Sequence, residues 1–217
     1  MFVGHMAVAL GAKKVEPRAP LAALVAAAFG LDLLWPIFLL AGIEVVRVEP
    51  GNTAFTPLDF ASYPWSHSLL MSLVWGAAAG ALAARACRNR RVGLIIAAAV
   101  VSHWVLDVVT HRPDLPIWPG GPQVGLGLWN SIPATLVIEG AMFVAAIVLY
   151  TRAAPARDAV GRWAFGALMV LIGVVWATGP ISTPPPNPTA IGAVGLVIAG
   201  LMVPWVMWIE RHRTWRG

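Results

Sequence analysis

Six apolar blocks, each close to twenty residues long, make up most of this chain. About 20 residues are enough for one α-helix to cross the hydrocarbon core of a bilayer. Of the 217 residues, 59% are hydrophobic and only 12% are charged, which is more apolar surface than one soluble core of this size can hide. The sequence therefore predicts an all-α, polytopic membrane protein. The predicted spans are residues 20–43, 66–86, 92–111, 131–151, 162–179 and 190–209.

The whole chain, residues 1–217, is predicted to be one membrane domain. A segment at 2–12 is too short to span alone, and is either a half-helix that dips in from the outer side or an amphipathic helix that rests in the interface. It has no basic region followed by a small-x-small cleavage site, so we expect no removable signal peptide. The single Cys87 excludes a disulfide framework and a four-cysteine zinc site.

The positive residues predict the orientation of the bundle. They cluster in alternate connections, whereas the intervening loops hold only Arg47 and Arg112. By the positive-inside rule the basic connections are cytoplasmic, and the net charge of +5 then needs no nucleic-acid partner. The basic side carries Lys13, Lys14, Arg18, Arg85, Arg88, Arg90, Arg91, Arg152, Arg157, Arg162, Arg211, Arg213 and Arg216.

The third block contains a row of polar side chains. His103, Asp107 and His111 stand at i, i+4 and i+8, so all three leave one face of a helix. An ionisable group at the centre of a bilayer costs about 2.5 to 3.5 kcal/mol on insertion scales, and such a row needs a partner. A metal ion is the partner we favour; an interhelical hydrogen-bond ladder is the alternative.

Other ionisable residues are predicted at a similar depth. Counted at about 1.5 Å per residue from the cytoplasmic arginines, four acids and imidazoles lie roughly 18 to 24 Å up their helices. His67 and His111 lie near the outer interface by the same count, and His5 reaches the lower rim. Helix-helix contacts or a proton path are the alternatives to a metal site. The four residues at one depth are Asp32, His103, Asp107 and Glu139.

These positions predict six metal ligands and two candidates for the proton acceptor. Asp107 lies one turn from both His103 and His111, and could bridge two ions, with Asp32 beside His103 and His67 beside His111. Mixed imidazole and carboxylate ligands suit zinc, with iron or manganese as alternatives, in one or two ions. Glu139 or Asp32 would take the proton. The predicted ligands are His5, Asp32, His67, His103, Asp107 and His111.

Several short motifs resemble a bacterial inner-membrane family, the YdjM-like group, described as membrane-bound metal-dependent hydrolases. The matching motifs are Gly4-His5, Gly30-Leu31-Asp32, His67-Ser68-Leu69 and Ser102-His103-x-x-x-Asp107-x-x-x-His111. The resemblance covers roughly residues 1–150, and it leaves two additional helices in 151–217 without a matched motif. It implies a metal and hydrolysis. The family's first acid often lies in a Pro-Asp-x-Asp pattern, whereas this chain reads Leu31-Asp32-Leu33-Leu34, which lacks the second acid.

The predicted function is hydrolysis of a lipid or lipid-linked ester near the outer face of the membrane. A remoter likeness to zinc-dependent, helical enzymes of the phospholipase C type favours phosphoesters, by analogy only. The outer connections 53–66 and 111–130 would form the mouth, with membrane lipids as partners. Two alternatives stay open: a transporter coupled to protons or metal ions, and a metal-stabilised scaffold that packs through Gly76–Gly80 and Ala97–Ala99.

The charge pattern makes a topological prediction. Residues 85–91, 152–162 and 211–217 should face the cytoplasm, because positively charged loops are retained there. Cysteines introduced at Asn52, Gln123 and Asn187 should react with an impermeant thiol reagent added from outside. Labelling of any of the three from the cytoplasmic side alone would reverse the placement of the site.

Overall fold

The computed structural model describes residues 1–215, in which the chain forms nine α-helices and two small hairpins. The predicted basic position Arg216 lies outside the described residues. The strands are β1 (Val45–Val48), β2 (Leu58–Ser62), β3 (Leu115–Pro116) and β4 (Gln123–Val124). The helices are α1 (Phe2–Val15), α2 (Leu21–Ala28), α3 (Gly30–Leu40), α4 (Pro64–His67), α5 (Leu69–Ala86), α6 (Arg90–Thr110), α7 (Ile132–Ala153), α8 (Ala159–Thr178) and α9 (Pro188–Arg211).

The helices confirm an all-α, multi-pass membrane protein. Helices α5 to α9 are each long and apolar enough to cross a membrane. The first predicted span, residues 20–43, is bent: α2 and α3 meet at an angle of 56° around Phe29. The pair is long and apolar enough to be either a broken sixth span or a re-entrant loop. The break matters because it frees backbone carbonyls within the bundle.

The N-terminal helix α1 lies inside the bundle. Val3, His5, Met6 and Leu10 are almost fully buried, and the helix packs chiefly against α7 and α2. The alternative in which this segment rests in the interface is therefore wrong. Apolar residues occupy most of its positions, with no polar face to turn toward water, so burial all round is the stable arrangement.

The basic ends of the helices meet at one end of the bundle. The Lys13 ammonium lies 2.6 Å from the carboxylate of Glu210, and the Arg91 guanidinium lies 3.1 Å from that of Glu16. Hydrogen bonds from Arg18 lower the pKa of Glu16 to about 2, so this carboxylate stays ionised among the arginines. The structure thus brings together the connections that the charge pattern assigns to one side.

The two hairpins cover the opposite end. Strand β1 pairs antiparallel with β2, and β3 pairs antiparallel with β4. One guanidinium joins the two connections, because Arg112 lies 2.5 Å from Asp59 and 3.0 Å from Asp114. The two connections that carry the hairpins are therefore joined through Arg112, and they cover the polar residues of the bundle.

Candidate metal centre

Five side chains from four helices converge in the half of the bundle that lies nearer the two hairpins. They form two groups, in each of which the candidate ligand atoms lie within 4.8 Å of one another. His103 belongs to both groups, and Asp32 is the only one of the five that is not buried. The first group is His5, His103 and Asp107; the second is Asp32, His67 and His103.

The break between α2 and α3 orients the His103 ring. Ala28 is the last residue of α2, and its carbonyl lies 2.8 Å from Nδ1 of His103. A carbonyl can only accept a hydrogen bond, so Nδ1 donates and a neutral ring carries its lone pair on Nε2. This hydrogen bond sets both the tautomer and the direction of the ring.

The lone pair of His103 faces two carboxylates. Its Nε2 lies 3.1 Å from Oδ2 of Asp107 and 3.7 Å from Oδ1 of Asp32. The same nitrogen has no hydrogen-bond partner among the described residues. Buried electron-rich atoms this close repel one another unless a cation lies between them, or unless the ring takes a second proton and donates it to Asp107. The arrangement could therefore hold a metal ion, and an ion pair between His103 and Asp107 is the hydrogen-bonded alternative.

A second relay orients His67. Nδ1 of His67 lies 2.7 Å from the Ser66 hydroxyl, which itself lies 2.6 Å from Oε2 of Glu44. The serine has one proton to give and the carboxylate can only accept it, so His67 donates from Nδ1 to Ser66. Nε2 of His67 then carries the lone pair of the ring, and it lies 3.5 Å from Oδ1 of Asp32.

Glu44 is a candidate site residue that sequence reasoning missed. It is buried, and besides Ser66 Oγ its carboxylate accepts hydrogen bonds from the backbone nitrogens of Trp65 and Ser66 at 2.8 and 2.7 Å. It lies in the short turn between α3 and β1 and matches no spacing rule. Ser66, beside His67, was the one sequence signal for such a relay, because a hydrogen-bonding group next to a candidate ligand commonly orients it.

His5 completes the cluster from the N-terminal helix. Its Nε2 lies 3.3 Å from Oδ1 of Asp107, and its ring stacks on that of His103 with centroids 3.7 Å apart. The Met1 amino group also contacts Oδ1 of Asp107. The burial of α1 is what brings His5 to this depth.

The two groups of candidate ligands overlap at His103. One imidazole nitrogen has a single lone pair, so His103 can serve one ion at a time. Two carboxylates match the charge of one divalent ion, and the Met1 ammonium adds a positive charge beside Asp107. Three imidazoles and two carboxylates suit zinc, iron or manganese better than magnesium or calcium.

His111 lies in neither group. It is the residue where α6 ends, with ψ at 148°, so the helical projection that placed it above Asp107 does not hold there. Its Nδ1 lies 3.0 Å from Asp114, which also accepts a hydrogen bond from the Tyr63 hydroxyl at 3.1 Å. Burial raises the pKa of Tyr63 well above its usual value, so this hydroxyl keeps the proton that it donates. The contact with Asp114 uses Nδ1 and leaves Nε2 of His111, which lines the cavity beside the cluster. The pairing of His111 with His67 on a second ion stays a prediction.

Glu139 is also outside both groups. It lies on α7, which packs against α1, and it is fully buried with neither carboxylate oxygen hydrogen-bonded within residues 1–215. A buried carboxylate without a partner is costly, and such groups are concentrated at functional sites. Its role as a proton acceptor stays a prediction.

A small cavity adjoins the cluster. Its volume is about 150 Å³, and Asp32, His67, Asp107 and His111 line it together with aromatic side chains. Its lining thus combines candidate ligands with aromatic rings. The cavity can hold a small polar group, such as a water or part of an ester, against the candidate ligands.

Comparison with known proteins gives no family for this chain. No family model, curated protein or solved structure matches it. The candidate metal centre is therefore inferred from its geometry.

The carboxylate of Asp107 supports a prediction of metal content. Asp107→Ala should remove most of the bound metal, because Asp107 lies within 4.0 Å of the ring nitrogens of three histidines. We expect about one equivalent of a transition metal, zinc in the first instance, in wild-type protein purified without chelators and measured by elemental analysis. His212→Ala is the control, because His212 pairs with Asp158 at the far end of the bundle. A wild-type content near zero would return the cluster to a hydrogen-bond ladder.

The Glu44 relay makes a separate prediction. Glu44→Gln places an amide where three donors converge, so His67 should lose its fixed tautomer and metal affinity should fall by about 10- to 100-fold. Competition with a chromophoric chelator measures the change. Glu49→Gln is the matched control, because Glu49 is an exposed glutamate just after β1 in the same connection, and it should bind metal as the wild type does. Equal affinity in both variants would remove Glu44 from the centre.

Proposed function

We propose that this protein is a membrane-bound, metal-dependent hydrolase that cleaves a lipid or lipid-linked ester or phosphoester near the outer face of the bacterial inner membrane. The observation that carries the proposal is the unpaired His103 Nε2, directed at Asp107 and Asp32 inside the bundle. The resemblance of the same residues to the YdjM-like family supports hydrolysis as the reaction.

The ligands divide into holding and reacting groups. His5, His67, His103 and Asp107 are buried, and their neighbours fix their directions. A bound divalent ion supplies a water whose pKa is near 7 and polarises the scissile oxygen. The Asp32 side chain is 38% exposed, so it is the carboxylate of the cluster that both substrate and solvent can reach. Asp32 or Glu139 accepts the proton of the attacking water in this proposal.

Lipid substrates fit the surroundings of the site better than soluble ones. The cluster lies among helices that are apolar enough to cross a membrane. The outer mouth has little free positive charge, because Arg47 lies 3.3 Å from Asp59 and Arg112 is paired with Asp59 and Asp114. A soluble polyphosphate would find few partners there.

A transporter is the second candidate, and one observation favours it. The span formed by α2 and α3 is broken just before Asp32. Discontinuous helices of this kind line the ion sites of many secondary transporters, usually in symmetry-related pairs. One such broken pair is found within the described residues.

The scaffold alternative has less support. The small residues proposed as its docking face pack within the chain: a Cβ on Gly76 would lie 3.1 Å from the Ala97 carbonyl, and one on Gly80 would lie 2.7 Å from that of Gly93. The glycines of this face are therefore used in the contact between α5 and α6.

Glu139→Gln separates the enzyme from the transporter. The amide keeps the size of the side chain but cannot accept a proton, so hydrolysis of a lipid ester or phosphoester should fall by about 100-fold or more while metal content stays near wild type. In a transporter, the same change would abolish proton or zinc flux in liposomes. We would measure ester turnover and flux on the same preparations.

Two further variants serve as controls. Asp107→Ala should lack the metal, and His212→Ala should keep both metal and activity. Metal-dependent flux without turnover of any ester would overturn the hydrolase proposal. Turnover undiminished in Glu139→Gln would leave the hydrolase intact and assign the proton to Asp32.

A further inference from the structure

A long apolar groove runs between the broken span and the last helix. It has a volume of about 540 Å³, which is within the range of sites for drug-sized ligands. Leu33 and Pro36 of α3 form one wall, and Ile191, Val194 and Ile198 of α9 form the other. Asp32 is its only charged lining residue.

The groove is continuous with the metal centre. Phe2, Asp32 and Trp35 line both the groove and the small cavity beside the cluster. A second apolar groove, of about 690 Å³, lies where α5 and α6 face the broken span, and none of the candidate ligands lines it. The two grooves therefore do not differ in apolar character or, to any large extent, in volume. The first groove differs because Asp32 lines it.

The groove opens toward the membrane. Val194 and Ile198 are 56% and 45% exposed, and both lie on α9, one of the helices able to span. The stretch of α9 that lines it, residues 190–202, is about 18 Å long at 1.5 Å per residue. A hydrocarbon chain can thus enter sideways without crossing water.

Charge selects the kind of head group. Two carboxylates already match the charge of one divalent ion in the cluster, and the Met1 ammonium is paired with one of them, Asp107. Arg47 and Arg112 are both paired with Asp59. A phosphate monoester would bring two further negative charges to a site where each of these three cations already has a carboxylate partner. An uncharged carboxylic ester adds none.

We propose that the groove binds one acyl chain of a membrane glycerolipid and presents its carboxylic ester to the metal centre at Asp32. This inference rests on the proposed hydrolase function. In the reaction, the oxygen of water bonds to the ester carbonyl carbon and the bond from that carbon to the alcohol oxygen breaks. One proton passes to the alcohol and one is released from the carboxylic acid, which leaves as a carboxylate.

Val194→Trp tests the groove, and Val197→Trp is its matched control. Val197 lies on the same helix and is 60% exposed, but it does not line the groove. We would measure kcat/KM for 4-nitrophenyl palmitate and 4-nitrophenyl acetate in each variant. The palmitate-to-acetate ratio should fall by about tenfold or more in Val194→Trp, because the indole fills the place of the chain, and should be unchanged in Val197→Trp. An equal fall in both variants, or no fall in either, would overturn the groove assignment.

Photolabelling keeps the groove testable if no ester is cleaved. In phosphatidylcholine nanodiscs that contain a phosphatidylcholine with a diazirine on one acyl chain, the wild type and Val197→Trp should be labelled on residues 190–202, and Val194→Trp should not. Labelling with no hydrolysis of either nitrophenyl ester would refute the hydrolase and, with it, ester cleavage in the groove. Uniform labelling of α8 and α9 would refute the groove alone. If the protein cleaves a long polyprenyl phosphate and Val194→Trp abolishes that cleavage, the groove binds a polyprenyl chain, and the acyl-chain proposal is overturned.

Discussion

The hydrogen bond between His103 and the Ala28 carbonyl is the contact on which the site depends. In an unbroken helix this carbonyl would be used four residues later, and His103 would have no acceptor at that depth. The break at Phe29 frees the carbonyl and, in the same step, starts α3 two residues before Asp32. One irregularity thus orients an imidazole and positions a carboxylate opposite it.

A second break between helices positions His67. Ser68 has extended backbone, with ψ at 153°, and separates the single turn of α4 from the long helix α5. The turn directs His67 inward, and Glu44 holds Ser66 and the start of the turn through three hydrogen bonds. The outer loop therefore contributes to the centre through a relay, which is how outer partners commonly fix the tautomer of a ligating histidine.

The surroundings of the cluster balance two opposing demands. Ionised groups inside a bilayer must be neutralised, which the pairing of carboxylates with a cation achieves. A reacting group must also stay accessible, and Asp32 alone among the candidate ligands is partly exposed, at the junction of the cavity and the apolar groove. The ion pairs of Arg112 with Asp59 and Asp114 join the two connections above the site, and in the proposed function the substrate enters from the side of the bundle.

The sequence by itself determined the all-α class, the approximate bounds of the long apolar helices and the grouping of the basic connections at one end of the bundle. Each of these follows from local quantities: the length of an apolar run, the rise of a helix and the position of arginines. It also identified five of the residues that meet in the cluster, because Asp32, His103 and Asp107 share one depth and His5 and His67 stand at segment starts. Only the tertiary structure decided which of them face one another. The breaks at Phe29 and Ser68, the end of α6 at His111 and the remote carboxylate of Glu44 all depend on contacts between segments far apart in the chain. A helical projection extends a regular element past the point where such contacts end it. This is why it placed His111 directly above Asp107 and gave no position for Glu44.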